Sequence, residues 1–237
     1  MGQLMSDVTT PSPRQTFPEA IARLTSQQII RLLFSEPMAE AAQRATSSFR
    51  GTSPIAFAVP SETELRCRLF LERLRWPHGV RCPRCDDSRR ICRIEERAQF
   101  ECGSCGYQFS VRAGTILHAS HLPLWKWLLA VYLMASADDI TSYRLERTLG
   151  ISYKTASHLT HTIRALTGDA SDGVDTEGRV DWHCRRVRER VERGPIASLP
   201  RHADGPRTSG DRLLLVQLLS RLVDAGSGSS DRMVASA

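Results

Sequence analysis

Residues 75–120 read RWPHGVRCPRCDDSRRICRIEERAQFECGSCGYQFSVRAGTILHAS, and the rest of the chain is best understood outward from them. The stretch holds two Cys-x-x-Cys pairs, Cys82/Cys85 and Cys102/Cys105, with sixteen residues between the pairs. A zinc ion takes four soft ligands tetrahedrally, and two knuckles at this spacing are the mark of a structural zinc site. Two residues between cysteines let one tight turn aim both sulfurs at a single point while its amide N–H groups steady the thiolates. Pro83 stiffens the first turn, and Gly103 and Gly106 let the second one curl. Short alternating runs at Arg90–Ile94, Gln99–Cys102 and Gln108–Val111 predict β-strands between and after the knuckles. The expected unit is a zinc ribbon in which Cys82, Cys85, Cys102 and Cys105 ligate one structural Zn2+.

The remaining cysteines and the nearby histidines are expected to play other parts. A disulfide reading would need an oxidising compartment, and the chain shows no secretory leader pattern. Cys67, in a helical run, and Cys92, mid-strand, are expected to be small core residues. Cys184 stands alone in the tail. His118 and His121 follow the ribbon, but four thiolates already fill the shell.

Upstream, Ser61-Glu62-Thr63-Glu64 has the form of a capping box, in which each end of the motif satisfies an amide of the other. The helix it starts is expected to turn Leu65, Leu69 and Leu74 inward and Arg66, Arg68 and Arg73 outward, bracing a ribbon too small to build much core. Trp76 is expected to pack across the knuckle in preference to stacking on a base. Downstream, Leu122-Pro123-Leu124-Trp125 opens a second helix whose Trp125, Leu128, Leu129, Tyr132 and Leu133 form a core stripe. Asp138-Asp139 breaks that run as a turn and helix-start signal, with a two-carboxylate metal site as the rarer alternative.

Residues 142–161, SYRLERTLGISYKTASHLTH, have the pattern of a helix-turn-helix. Ser142–Leu149 form the first helix, with Leu145 and Leu149 inward. Gly150 supplies the left-handed residue, Ile151 plugs the joint and Ser152 caps the second helix. Ala156, Leu159, Ile163 and Leu166 then face inward. Tyr153, Lys154, Ser157, His158, His161 and Arg164 face outward and combine hydrogen-bonding groups with cations, as a DNA major-groove helix requires. Two amphipathic helices around a glycine turn also occur in proteins that never meet DNA. A metal role for His158 with His161 is less favoured than a surface or phosphate-contact role.

RWPHG before CPRC, then FECGSCGYQFSVRAGTILHAS and HLPLWKWLLAVYLM, resemble the zinc-ribbon transposases of bacterial insertion sequences, often called ISXO-two-like. The resemblance covers about Thr63 to Leu166. It is most specific at Arg75-Trp76-Pro77, at Gln108-Phe109-Ser110 with Ala113-Gly114-Thr115, and at Tyr153-Lys154-Thr155-Ala156. Asp86 departs from it, standing where the family usually has the glycine that closes the first knuckle. The resemblance implies a DDE-type, RNase H-like catalytic domain after the helix-turn-helix, whose carboxylates would carry two divalent metals such as Mg2+.

The 69 residues after Gly168 are rich in Gly, Pro, Arg and Asp and poor in strand-like runs, and they are expected to be too few for such a domain. Asp175 or Asp181 falls where the first catalytic acid would lie. Asp204 and Asp211 are the later carboxylates that an active enzyme would have to recruit. A truncated or frame-shifted gene is therefore expected, and Mg2+ only if a catalytic domain is present. Three readings stand: a transposase-type DNA-binding protein without strand transfer, an active DDE transposase, and a zinc-stabilised protein-interaction or regulatory module.

Composition fits the first reading without deciding it. The chain has 237 residues, a net charge of +6 and a pI near 9.2. Residues 61–168 carry sixteen basic and eleven acidic side chains, against five and four before them and eleven of each after them. A surplus of five over the middle of the chain suits double-stranded DNA but is modest alone. No run of eighteen apolar residues occurs, so no membrane partner is expected and the bacterial cytoplasm and nucleoid are the default. A homodimer is left open. The expected fold is small α+β, in four parts: a mostly disordered leader with short helices (1–60), the ribbon with its brace helix (61–121), a helical and helix-turn-helix region (122–168) and an irregular tail (169–237). In the leader, a short helix over Gln27–Phe34 should stop at Pro37, with another over Met38–Ala45.

Overall fold

A computed structural model describes residues 16–47, 61–118, 120–137, 140–167, 218–220 and 222–223. Three helices come first: α1 (Phe17–Ile21), α2 (Ser26–Leu33) and α3 (Glu36–Ser47). The brace helix α4 (Ser61–Arg75) leads into β1 (Ile91–Ile94), β2 (Gln99–Cys102) and β3 (Gln108–Phe109), and then come α5 (Leu124–Ser136), α6 (Ser142–Leu149) and α7 (Tyr153–Thr167). The strands form one antiparallel sheet in the order β1-β2-β3, with Ile91 opposite Cys102, Ile94 opposite Gln99 and Phe100 opposite Phe109. This is the small α+β arrangement expected. The strands lie where alternation placed them, with the first and third slightly shorter.

The helical half is organised around α5. Leu124, Trp125, Trp127, the run Leu128 to Leu133 and Ala135 are all buried, so the helix is apolar nearly all round. Such a helix needs neighbours on every side. It packs against α2 and α3 from the N-terminal region, against α4, and against α6 and α7. The expected stripe was therefore too narrow, since Leu124, Trp127, Ala130, Val131 and Ala135 are covered as well.

Residues 16–47 supply those extra partners, and the short helices expected over Gln27–Phe34 and Met38–Ala45 are α2 and α3. Thr16 and Thr25 head reciprocal capping boxes with Glu19 and Gln28, and Ile29, Ile30, Leu33, Phe34, Met38, Ala39 and Ala42 are buried. Pro37 sits in the first turn of α3, where its missing N–H costs nothing, so it opens that helix and does not end α2. Leu218, Leu219, Leu222 and Val223 join the same core cluster.

The face of α4 also differs from expectation. Thr63, Cys67, Phe70, Leu71 and Leu74 are buried, whereas Leu65 and Leu69 are 42% and 40% exposed. Arg68 is not outward either: its side chain is 14% exposed and pairs with the buried Glu72, which also holds Arg93 of β1. Cys67 and Phe70 fall one helical turn from Leu71 and Leu74, so two faces of the helix were apolar and only long-range packing chose between them.

Candidate metal centre and nucleic-acid interface

The two knuckles are built alike. In the first, the Asp86 amide donates to the Cys82 carbonyl at 2.9 Å; in the second, the Gly106 amide donates to the Cys102 carbonyl at 2.8 Å. Both closing residues are left-handed, Gly106 at φ +68° and Asp86 at φ +58°. Aspartate is among the few side-chain-bearing residues that tolerate this region, so the departure at Asp86 keeps the turn intact. Gly103 has another function. Its amide donates to the Arg90 carbonyl at 2.7 Å, and a Cβ there would approach that carbonyl to 3.3 Å. Here the missing side chain permits close strand contact.

These turns bring all four ligand atoms within 4.8 Å of one another, with Cys82 Sγ 3.7 Å from Cys105 Sγ and Cys85 Sγ 3.5 Å from Cys102 Sγ. Sulfurs placed tetrahedrally about zinc at roughly 2.3 Å stand about 3.8 Å apart, so the donor set fits the ion in type, number and spacing. Among the described residues this is the one group of three or more Cys, His, Asp or Glu side chains able to hold a metal.

The electrostatics point the same way. Burial opposes ionisation of Cys102, but the amides of Ser104 and Cys105 outweigh it and bring the thiol down to about 7. At Cys85 the Asp87 amide favours the thiolate, yet the crowding sulfurs of Cys105, Cys102 and Cys82 push it up to about 12. Burial first of all raises Cys82 as well. The Cys102 thiolate forms readily while Cys82 and Cys85 resist, which is the situation a bound divalent cation relieves.

The other candidates separate from this cluster. Cys67 is fully buried, and burial pushes its thiol far up, as befits an inert core residue. Cys92 is exposed on β1, correcting its expected burial: the face of β1 that it shares with Ile94 lies partly open. His118 and His121 are exposed and stand outside the metal group. Asp138, Asp139, Cys184, Asp175, Asp181, Asp204 and Asp211 lie outside the described residues.

An aromatic cluster backs the knuckles. Trp76 meets Phe100 and Phe109 edge-on at 5.5 and 6.0 Å, and Phe109 stacks on Phe100 and Tyr107. Trp76 is thus a packing residue. Arg75 ties the brace helix to the loop after β3, donating to the carbonyls of Val111 and Ala113, each at 2.7 Å. Arg112 donates to Ser120 and Leu122 at 2.7 and 2.8 Å. Glu64 acts on another helix: its carboxylate accepts from the amides of Leu124 and Trp125 at 2.9 and 3.1 Å and so caps α5. Pro123 at that N-cap position has no side-chain acceptor to offer. No local signal reveals these long-range roles, although Arg75 and the Gln108–Thr115 run carry the most specific part of the resemblance.

Beyond α5 the helix-turn-helix takes shape as expected. Thr141 caps α6, Gly150 is left-handed at φ +58° and Ser152 accepts from the Thr155 amide at 3.3 Å. Ala156, Leu159, Ile163 and Leu166 are buried. Tyr153 is 58% exposed, Lys154 and Arg164 are exposed, and Ser157, His158 and His161 are half-buried along the same side. Arg164 also donates to the Ile140 carbonyl at 3.4 Å.

A three-stranded antiparallel sheet whose two cysteine knuckles converge is a zinc ribbon, and this chain carries one. Its type is specific. Residues 62–108, from the brace helix to the third strand, match the transposase zinc-ribbon domain. The chain is also 34% identical over 97 residues to an uncharacterized protein in transposable element ISH50 of Halobacterium salinarum, a match covering 39% of this chain and 32% of that protein. The chain therefore spans about a third of the length of this relative. No solved structure matches it. Among the described residues, no helix is long and apolar enough to cross a membrane.

Proposed function

We propose that this chain is a DNA-binding protein of an insertion sequence that grips element-end duplex through its helix-turn-helix, with a zinc-held ribbon beside it. Cys82, Cys85, Cys102 and Cys105 are the zinc ligands. Bound zinc supplies the cross-link that a minimal core cannot, and the protein's own turns supply the amides that steady the thiolates. Tyr153, Lys154, Ser157 and His158 at the start of α7 would reach base edges, while His161, Arg164 and the exposed Arg84 and Arg90 of the ribbon would meet phosphates.

The observation that carries this reading is the outer side of α7. Its first turn presents an exposed aromatic and an exposed cation just after the left-handed turn, on a helix whose opposite side is locked into the core. Strand-transfer chemistry is not part of the proposal, since the tail that holds the candidate acids is rich in Gly, Pro and Arg and lacks strand patterning.

A gel-shift titration on terminal-repeat duplex tests it. The logarithm of the binding constant should fall linearly with the logarithm of salt concentration as counterions are released. A flat curve would reject a DNA surface and favour a protein-interaction module. On the same DNA with Mg2+, no strand cleavage is expected, and cleavage would restore the active-enzyme reading.

A further inference from the structure

The contacts proposed above lie on α7, but the outer side of α6 carries a second, separate pair. Tyr143 and Arg147 are one turn apart; Tyr143 is 50% exposed and Arg147 is also exposed. Arg147 Nη1 donates to the Tyr143 hydroxyl at 3.1 Å, and its guanidinium carbon lies 5.8 Å from the ring centroid. This contact narrows the rotamers of a long side chain, so less entropy is left to lose on binding.

Neighbouring cations are committed elsewhere. Arg144 is 7% exposed and donates to the Ala45 carbonyl at the end of α3. Lys126 donates to the Gly150 carbonyl at 3.3 Å and lies over the Trp125 ring. Among the described residues, no carboxylate pairs with Arg147 within ion-pair distance. A fork with donors to spare, held in place and uncompensated by an acid, is suited to an anion.

Resting on the DNA reading above, we infer that Tyr143 and Arg147 form a phosphate clamp. When a second helix enters the major groove, the first helix of the pair crosses the sugar-phosphate backbone. The N–H donors of Arg147 not spent on Tyr143 can reach phosphate oxygens, and the tyrosine hydroxyl, accepting from Arg147, holds the guanidinium in place for them. Such contacts carry no base information. They set how deep and in what register α7 sits.

The test uses the full chain, with zinc, titrated against salt on terminal-repeat duplex and on a scrambled duplex of equal length. Arg147→Gln should lower the salt slope by about one on both duplexes. Arg147→Lys should keep the wild-type slope, and Tyr143→Phe should weaken binding a few-fold at unchanged slope. Both Arg147 variants break the fork held by Tyr143, so a purely structural role would move them together. The clamp is overturned if Arg147→Gln keeps the wild-type slope, if the glutamine and lysine variants behave alike, or if the loss is confined to the terminal-repeat duplex. Failure of the DNA reading itself looks different: the wild-type protein would then show no salt dependence at all.

Discussion

The ribbon and the helical half of this molecule are held by different physics. In the ribbon the buried set is small, consisting of Cys82, Phe100, Cys102, Phe109 and Ala113, and two of these are themselves candidate ligands. In the helical half, the cluster runs from Phe17 through α5 to Leu166 and takes in Leu218, Leu219, Leu222 and Val223. A sheet of three strands with two to four residues each cannot exclude enough water to stand alone, and its cross-link must come from elsewhere. An all-round apolar helix meets the opposite problem and has to recruit every neighbour. The lesson is that the brace helix α4 serves both: Leu71 and Leu74 belong to the large core, while Arg75 and Trp76 grip the ribbon.

The most drastic way to break this contrast is to remove the metal. Chelation, or Cys102→Ser, should abolish stoichiometric zinc and the hydrogen-exchange protection of β1, β2 and β3, while protection in α5 and α7 persists. Parallel loss in both halves would show a single cooperative unit. Acidification should release metal in the same direction, because protons compete for sulfurs that must be thiolates to bind, Cys85 standing near 12 without the ion. Zinc retained through pH 4 would refute the assigned ligand set.

A core deletion on the other side comes next. Leu129→Ala, at a position 1% exposed, should cost about 2–5 kcal/mol in denaturant unfolding of the helical half, with zinc content unchanged. Smaller still is Glu64→Ala. Removing the acceptor for the Leu124 and Trp125 amides should cost about 1 kcal/mol, read by the same unfolding curve, because the side chain is 39% exposed and water can partly replace it. The gentlest probe is Lys154→Ala, which should leave both halves folded and weaken gel-shift binding to terminal-repeat duplex more than to a scrambled duplex.

Most of what was legible beforehand was local. Cys-x-x-Cys spacing, strand alternation, the Gly150 turn and the Ser152 cap each involve residues a few positions apart, and the structure has them where the pattern put them. Expectations failed where two local patterns were equally good. On α4, Leu65 and Leu69 looked as apolar as Cys67 and Phe70, and periodicity alone could not choose. Cys92 was misjudged because alternation in β1 assumes one covered face, and the sheet's partners cover that face only in part. The N-terminal helices over Gln27–Phe34 and Met38–Ala45 were legible as helices, but what buries their short apolar runs is α5, which no local pattern names.

By itself, then, the sequence determined the chemistry and punctuation of this protein: four sulfurs in two knuckles, three strands, and a capped helix pair with polar groups on its outer side. Only the tertiary structure decided which leucines are covered, that Glu64 caps a helix sixty residues away, that Arg144 closes α3 rather than facing solvent, and that residues 16–47 belong to the core. The physical reason is the range of the forces involved. Turns and caps are settled by neighbours along the chain, whereas burial is a property of surfaces that meet only after the chain has folded.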